Sequence, residues 1–339
     1  MVSPASCPPG VSVVICTYNG AARIGTTLDH LLHQRETGGI AWEVILVDNH
    51  SEDNTAAIAQ STWVSGIPFH VVTEWQRGIT HARNAGILAA KYEYISFIDD
   101  DNHVDPFWVR NLFRTFEENP GIDVCGGNSE ALFETAPPYW FEKVKGAWAV
   151  GHQGETTGDV TMSRGTLWGA GISFRRSCFD KIIRAGFRYH TTGRKGANLS
   201  AGDDSELSLA FVAAGCRLWY VDELRLKHYM PEGRLTWEHA KKIFRGLGES
   251  ELLLDLYRMA IRQGKFPLCR IYLSLIPYSI LYFGWRFVNL AHHQEGNPRY
   301  LSYLARKNYI MKALKSWDIL PEMMRDIRAF CNRVSSETR

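Results

Sequence analysis

The stretch Val11-Ser-Val-Val-Ile-Cys-Thr-Tyr-Asn-Gly20 opens with a β-branched apolar run and ends in a polar turn. This pattern predicts a buried strand, and residues 22–34 then show helical spacing. Trp42-Glu-Val-Ile-Leu-Val-Asp48 repeats the plan, with an acidic residue at the strand end. Strands that alternate with helices in this way predict an α/β fold with a mostly parallel sheet covered by helices on both faces.

The alternation of strand and helix patterns continues along the chain. We predict strands over 69–73, 94–98 and 216–221, helices over 52–60, 79–90 and 173–185, and another helix that opens at Gly202-Asp-Asp-Ser-Glu-Leu207. Beyond Thr236 the pattern becomes helical. The predicted organisation is a disordered lead-in (1–10), an α/β domain (11–235, with halves 11–123 and 124–235) and a helical C-terminal region (236–339). Ligands of such sheets bind at the carboxyl ends of the strands, where Thr17, Asp48 and Asp99 lie.

The amino-acid composition excludes several classes of protein. Among 339 residues, 45% are hydrophobic and 22% are charged, and the formal net charge is +2, which predicts a globular protein without a nucleic-acid partner. The seven cysteines are odd in number and show no Cys-x-x-Cys spacing. We therefore expect neither a disulfide framework nor a zinc cluster, and a reducing, cytoplasmic setting. The first ten residues lack the features of a signal peptide.

Residues 271–285 carry no charge, and Arg270 and Arg286 flank them. These 15 residues fall short of the roughly 20 that span a bilayer, and Pro277 interrupts them, so we expect no transmembrane helix. Basic residues follow among apolar ones, as in interfacial helices. They are Arg299, Arg306, Lys307, Lys312 and Lys315. The interpretation of the region 267–316 stays open: it contacts a membrane surface, packs internally on the catalytic domain, or forms a homodimer interface.

Phe97-Ile-Asp-Asp-Asp101 places three consecutive carboxylates directly after an apolar strand. Like charges this close repel one another, and a bound cation removes that cost. Oxygen ligands of this kind suit Mg²⁺ or Mn²⁺, which use one or two carboxylates together with substrate phosphates. The open alternative is an acidic turn that caps a helix starting near Asp105-Pro106.

Seven motifs, in this order and spacing, resemble the family 2 glycosyltransferases with the GT-A (Rossmann-like) fold over roughly 11–248. They are Val13-Val-Ile-Cys-Thr-Tyr-Asn19, Val47-Asp-Asn-His-Ser51, Arg77-Gly-Ile-Thr-His-Ala-Arg-Asn-Ala-Gly86, Phe97-Ile-Asp-Asp-Asp101, Trp168-Gly-Ala-Gly171, Gly202-Asp-Asp204 and His228-Tyr-Met-Pro-Glu-Gly-Arg-Leu-Thr236. The resemblance implies transfer of a sugar from a nucleotide-diphosphate donor to an acceptor hydroxyl, with inversion at the anomeric carbon. It assigns 11–123 to the nucleotide sugar and 124–235 to the acceptor.

On the donor side, the resemblance places Thr17 and Asp48 at the nucleotide base. Arg77 and Arg83 are candidates for the diphosphate, because a guanidinium pairs with two oxygens at once. Loop capping and surface solvation are the alternatives for these residues. Many family members carry a second acid where this chain has Asn49.

The acidic cluster corresponds to the DXD motif of the family. The resemblance implies that Asp99 approaches the ribose and that Asp101 ligates the metal. Asp100 is grouped with the donor-binding residues, with a structural role as the alternative. His228 is a candidate metal ligand, since an imidazole can complete a carboxylate and phosphate shell.

By the same resemblance Asp204 is the general base, which must take the proton of the acceptor hydroxyl. Stabilisation of the helix dipole is its alternative role. Trp168 and Gly169 are candidates for the floor under a sugar, whose C–H face stacks on an indole, and core packing is the alternative for Trp168.

The predicted enzyme is thus a metal-dependent, inverting, hexosyltransferase-type glycosyltransferase of polysaccharide or glycolipid synthesis. A UDP-sugar is the favoured donor and a glycan or lipid-linked molecule the acceptor, at the inner face of the cell membrane. Two alternatives stay open: a sugar nucleotidyltransferase, and a non-catalytic nucleotide- or carbohydrate-binding scaffold. The missing Gly-x-Gly-x-x-Gly turn after the first strand argues against a Rossmann dehydrogenase.

Overall fold

The computed structural model describes residues 7–191, 202–263, 280, 284 and 295–336, and nine strands in these residues form one sheet. The strands are β1 (Val11–Thr17), β2 (Trp42–Asp48), β3 (Phe69–Thr73), β4 (Tyr94–Asp99), β5 (Asn102–Val104), β6 (Val124–Phe133), β7 (Gly158–Asp159), β8 (Ser173–Arg175) and β9 (Leu218–Met230). Their order in the sheet is β3-β2-β1-β4-β8-β6-β9-β5, and β7 pairs with β9.

The sheet has a parallel half and a mixed half. Strand β1 pairs in parallel with β2 and β4, and β2 pairs in parallel with β3, as the alternating pattern predicts. Beyond β4, the short strand β8 lies antiparallel to both β4 and β6, and β5 lies antiparallel to β9. The sheet is therefore parallel over β1 to β4, and its other half is mixed, because β6 pairs in parallel with β9.

Helices cover both faces of the sheet. They are α1 (Ile24–Leu32), α2 (Thr55–Thr62), α3 (Ile79–Ala89), α4 (Trp108–Glu118), α5 (Arg176–Arg184), α6 (Asp203–Ala213), α7 (Trp237–Gln263), α8 (Pro298–Lys315) and α9 (Leu320–Ser336). The prediction of a helix over 173–185 is wrong for its first three residues. Ser173 and Phe174 are fully buried and pair with β4 and β6, and the sheet overrides the local helical pattern.

The alternation of side chains along β1 builds two cores. Val13 and Ile15 pack with α1, α2 and α4 on one face, whereas Val14 and Cys16 belong to the cluster on the other face. That second cluster also contains buried residues of α7 and α9, such as Tyr257 and Phe330. The C-terminal helices therefore pack directly against the sheet-bearing part of the chain.

Some sequence predictions fall outside the described residues. Residues 1–6 of the expected lead-in do, and so does the apolar stretch 271–285 apart from positions 280 and 284. Among the residues that are described, no helix has both the length and the apolar character required to cross a membrane.

Candidate active site

A cavity of about 810 Å³ opens where the ends of β1 and β4 meet the start of α6. Residues 143–149 and the beginning of α8 form other parts of its wall. The cavity brings together nine of the residues that the sequence singled out. They are Thr17, Arg83, Asp99, Asp100, Asp101, Trp168, Gly169, Asp204 and His228.

Asp100 is tied down at the end of β4. The Thr17 hydroxyl donates to its Oδ2 atom at 2.6 Å, and Arg23 donates from Nε to Oδ1 at 3.1 Å and from Nη2 to Oδ2 at 3.0 Å. Burial raises the pKa of Asp100, the Arg23 hydrogen bonds lower it, and the neighbouring charge of Asp101 raises it further. Asp100 thus anchors the turn, and contacts of Thr17 and Asp100 with the donor stay predictions.

Asp101 lies beside His228 because β5 pairs with β9 in a register that sets Asn102 opposite His228. The Nε2 atom of His228 is 3.4 Å from Asp101 Oδ1. Arg234 Nη1 donates to Asp101 Oδ2 at 2.6 Å and lies 3.1 Å from His228 Nε2. At the start of α4 the Val109 N–H donates to Gln34 Oε1 and the Phe107 N–H donates to Asp105 Oδ1, both at 2.9 Å, so these side chains and not the acidic cluster accept there.

The pair of Asp101 and His228 suits a divalent cation that is shared with substrate. Among the residues described, no three His, Cys, Asp or Glu side chains form a metal cage. Mg²⁺ is commonly bound by one or two protein carboxylates plus substrate phosphates, so two protein donors are enough. The Nε2 atom of His228 faces Asp101 and Arg234, whereas its Nδ1 atom is buried without a hydrogen-bond partner among the described residues.

Asp204 occupies the first turn of α6 with its carboxylate held at both oxygens. The backbone N–H of Gly169 donates to Oδ2 at 2.7 Å, and the N–H of Ser205 donates to Oδ1 at 2.7 Å. Gly202, which precedes the helix, has a φ of 108°, a conformation that favours glycine. The Trp168-Gly-Ala-Gly171 motif therefore reaches the predicted base through the backbone of Gly169.

Trp168 lines the cavity, and one face of its indole is covered. The guanidinium of Arg164 lies 4.7 Å from the ring centroid, and the backbone N–H of Trp168 donates to Gln153 Oε1 at 2.7 Å. The first contact covers the indole, and the second holds the backbone beside Gly169. Its use as a floor for a sugar stays a prediction.

Arg83 and Asp203 form a largely buried ion pair in the wall of the cavity. Their side chains are 5% and 9% exposed, and Arg83 Nη1 donates to Asp203 Oδ2. Burial alone would lower the pKa of Arg83, but the charges of Asp203 and Asp99 raise it above its ordinary value. Arg83 is therefore held by a protein carboxylate, and its predicted contact with a diphosphate is untested.

Asp48 and Arg77 are not among the described residues that line the cavity. Asp48 Oδ1 accepts a hydrogen bond from the Ser51 N–H at 3.0 Å, which caps the turn after β2. Arg77 pairs with Glu52 and lies 4.9 Å from the centroid of the Tyr18 ring. Their roles toward the nucleotide stay predictions.

Asn49, the departure from the usual family pattern, lines the cavity and joins two loops. Its Oδ1 accepts from the Gly78 N–H at 2.7 Å, and its Nδ2 donates to the carbonyls of Glu74 at 3.1 Å and Gln76 at 2.8 Å. A carboxylate has no N–H to donate to these carbonyls. The amide therefore explains why an acid is absent at this position.

Cys16 is the cavity residue with a thiol. Burial raises its pKa to about 12, and the nearby charge of Arg83 only partly offsets this. A thiol that is protonated at neutral pH is a poor nucleophile, so Cys16 does not suit a covalent mechanism.

Sequence reasoning assigned no function to Arg23, Asp203 or Arg234. Their charged partners lie 77, 120 and 133 residues away along the chain, so local patterns carry no sign of the pairing. Arg234 and Asp203 do stand inside recognised motifs, and their charge was the available signal.

A Gly169→Ala substitution tests whether this glycine positions Asp204. An added Cβ would lie 2.5 Å from Arg83 Nη2 and 3.3 Å from Asp204 Cβ, and Arg83 is locked by its buried partner. We expect kcat to fall about 10- to 100-fold because the base is displaced, and thermal stability to fall as well because the buried pair of Arg83 and Asp203 must shift. Gly146→Ala is the matched control, since its Cβ would come no closer than 4.0 Å to Trp168. Equal kcat values for the two variants would contradict the positioning role.

The sequence of this chain is similar to the sequences of known proteins. The sequence profile described as "Glycosyl transferase family 2" matches residues 12–183. A glucosyl-dolichyl phosphate glucuronosyltransferase of Haloferax volcanii is 27% identical over 251 residues, which cover 73% of this chain and 77% of that protein. The chondroitin synthase of Escherichia coli is 30% identical over 119 residues, which cover 34% of this chain and 17% of the synthase. The chain thus spans most of the first relative and a small part of the second.

Solved structures share the fold. S. aureus TarS 1–349 in complex with UDP-GlcNAc has a TM-score of 0.52 and 16% identity, with 97% of this chain and 91% of TarS covered. The mannosyltransferase PcManGT of Pyrobaculum calidifontis, in complex with GDP-Man and Mn²⁺, has a TM-score of 0.50 and 18% identity, with 99% and 88% covered. These similarities confirm the GT-A-like α/β fold. Because the profile spans just over half of the 339 residues, the chain belongs to glycosyl transferase family 2.

Proposed function

We propose that this glycosyltransferase moves a hexose-type sugar from a nucleotide-diphosphate donor to an acceptor hydroxyl by a single displacement that inverts the anomeric carbon. The observation that carries the proposal is that Asp204 and the pair of Asp101 and His228 line one cavity. A base and a site for the diphosphate are then available to the same bound donor.

Asp204 is proposed as the general base. It takes the proton of the acceptor hydroxyl as that oxygen attacks the anomeric carbon from the face opposite the departing diphosphate. The N–H groups of Gly169 and Ser205 each donate to one carboxylate oxygen of Asp204, which keeps the side chain in one orientation.

Asp101 and His228 would hold Mg²⁺ or Mn²⁺. When bound, the cation offsets the negative charge that builds on the leaving nucleotide diphosphate. Arg234 pairs with Asp101, and Arg23 pairs with Asp100. This end of the cavity therefore contains guanidinium groups as well as carboxylates. A leaving group of high negative charge fits such a site.

The donor and the acceptor are proposed from similarity and chemistry together. The similar structures hold UDP-GlcNAc and GDP-Man, and we favour a UDP-sugar because the carboxylate of Asp48 can accept from a pyrimidine N–H. The Haloferax relative is named for a glucosyl-dolichyl phosphate substrate, which supports a glycan on a lipid carrier as acceptor. An enzyme that acts on such an acceptor would work at the inner face of the cell membrane, in cell-envelope polysaccharide or glycolipid synthesis.

Screening a panel of UDP- and GDP-sugars tests the proposal. The protein is incubated with each donor and Mn²⁺, and release of the nucleotide is followed with and without candidate acceptors. The anomeric configuration of the product is then determined by NMR. An inverted product supports the single displacement, whereas a product of retained configuration contradicts it.

Removal of the divalent cation should lower transfer by about 100-fold or more, because Lewis-acid stabilisation of the leaving group contributes several kcal/mol. The measurement is kcat/KM after EDTA treatment and dialysis, followed by titration with Mn²⁺ or Mg²⁺. Recovery of activity on titration is expected. Full activity in the chelated protein would show that the arginines alone neutralise the diphosphate.

A further inference from the structure

Exposed apolar side chains concentrate at the end of α8. Met311, Leu314, Trp317 and Ile319 are 43%, 57%, 52% and 46% exposed, so four large apolar residues within nine positions face outward. Basic residues lie among them. We call the α8 patch the group formed by Lys307, Met311, Lys312, Leu314, Lys315, Trp317 and Ile319.

Other residues of α8 pack internally. Leu301, Leu304, Tyr309 and Ala313 are at most 5% exposed and belong to the hydrophobic clusters of the fold. Leu304, Lys307, Met311 and Leu314 share one side of the helix by their spacing, and this side is buried at Leu304 and exposed at the other three residues. The four buried residues already contribute to the core, so the exposed apolar residues need another explanation.

The charge of the patch indicates what it contacts. Between positions 306 and 319 the chain carries four basic residues and a single acid, Asp318. Apolar side chains with a basic fringe match a bilayer surface with anionic headgroups, where Trp settles at the interface and Lys approaches the phosphates. In a two-fold dimer the same patch would face itself, and the lysines would repel one another.

The position of α8 links the patch to catalysis. Pro298 and Ser302, at the beginning of the helix, line the active-site cavity. From Ser302 to Leu314 the helix rises about 18 Å. A surface bound at the patch would thus lie within the reach of a lipid-linked molecule whose sugar end enters the cavity.

We propose that the α8 patch docks the enzyme on an anionic lipid surface and so presents the cavity to an acceptor carried by that surface. This inference rests on the proposed function for the nature of the acceptor. The apolar residues insert at the level of the headgroups, and Lys307, Lys312 and Lys315 contact the lipid phosphates.

The test is co-sedimentation of the full chain with vesicles of phosphatidylcholine alone or mixed with phosphatidylglycerol. We expect binding to the phosphatidylglycerol vesicles that weakens as salt is raised. A Lys312→Glu/Lys315→Glu variant should bind these vesicles about tenfold or more weakly, because two attractions become repulsions. A Leu314→Ser/Ile319→Ser variant should lose binding to a similar degree.

Matched controls use exposed residues elsewhere on the surface. Val64→Ser/Leu88→Ser changes two side chains that are 81% and 80% exposed, and Lys91→Glu/Arg184→Glu reverses two charges on exposed residues. Both controls should bind as the unmodified protein does. Circular dichroism and thermal melting verify that every variant is folded.

Three results would overturn the docking: no binding of the unmodified protein to phosphatidylglycerol vesicles, equal binding by the patch variants, or a dimer seen by light scattering that dissociates in the patch variants. The last would assign the patch to a second copy of the chain. Donor turnover of the unmodified protein is measured on the same preparation. Turnover without vesicle binding sinks only the docking, whereas vesicle binding without turnover sinks only the proposed function.

Discussion

Replacing Asp204 with asparagine is expected to lower kcat for sugar transfer by about 10²- to 10⁴-fold, which is the usual contribution of a general base. The amide is nearly the same size as the carboxylate, and its oxygen can still accept the Gly169 N–H that now binds Oδ2. It cannot take the acceptor proton. Donor nucleotide should therefore still bind with Mn²⁺, as measured by calorimetry, while transfer is lost.

Asp326→Asn serves as the control for this change, since Asp326 lies on the exposed side of α9, away from the cavity. It should leave both kcat and nucleotide binding as they are. An Asp204→Asn variant that keeps most of its activity would remove Asp204 from the role of base. A scaffold without catalysis would give a third result, in which the unmodified protein binds nucleotide and transfers nothing.

Replacing Arg83 is expected to have a large effect on the stability of the fold. Arg83→Met should lower the free energy of unfolding by about 3–5 kcal/mol, because Asp203 is then left buried without its charged partner. Both side chains lie almost entirely out of solvent, so the Asp203 carboxylate is poorly hydrated once the guanidinium is lost. The measurement is urea unfolding followed by circular dichroism.

A paired replacement separates the ion pair from catalysis. In Arg83→Met/Asp203→Leu both charges are removed together, and most of the lost stability should return, since apolar residues often replace a buried pair without cost. Arg114→Met, which breaks an exposed ion pair with Glu118, should cost at most about 1 kcal/mol. If Arg83→Met were as mild as that control, the buried pair would not stabilise the fold. A stable double variant that fails to bind donor would support the predicted diphosphate contact of Arg83.

The parallel half of the fold was predictable from local pattern. Strands β1 and β2 are apolar runs that end in Thr17 and Asp48, and their buried side chains alternate between two cores, so period and burial agree. The start of β8 was not predictable in this way. Ser173 and Phe174 resemble the beginning of a helix, and only pairing with two neighbouring strands makes them a strand.

The residues of the candidate site could likewise be predicted only in part. Asp101, His228 and Asp204 each stand in a recognised motif, and they line one cavity because the strand ends and loops of this fold converge. The ion pairs of the site could not be predicted from the sequence, since no period or spacing indicates that Arg234 contacts Asp101. Conversely, Arg77 stands in a recognised motif and yet pairs with Glu52 on the surface.

The pairing of β5 with β9 has a consequence for how the enzyme is made. Asp101 is synthesised early, but the strand that sets His228 beside it and the arginine that neutralises it follow more than a hundred residues later. This end of the cavity, and with it competence for transfer, can therefore form only after β9 and Arg234 have been synthesised.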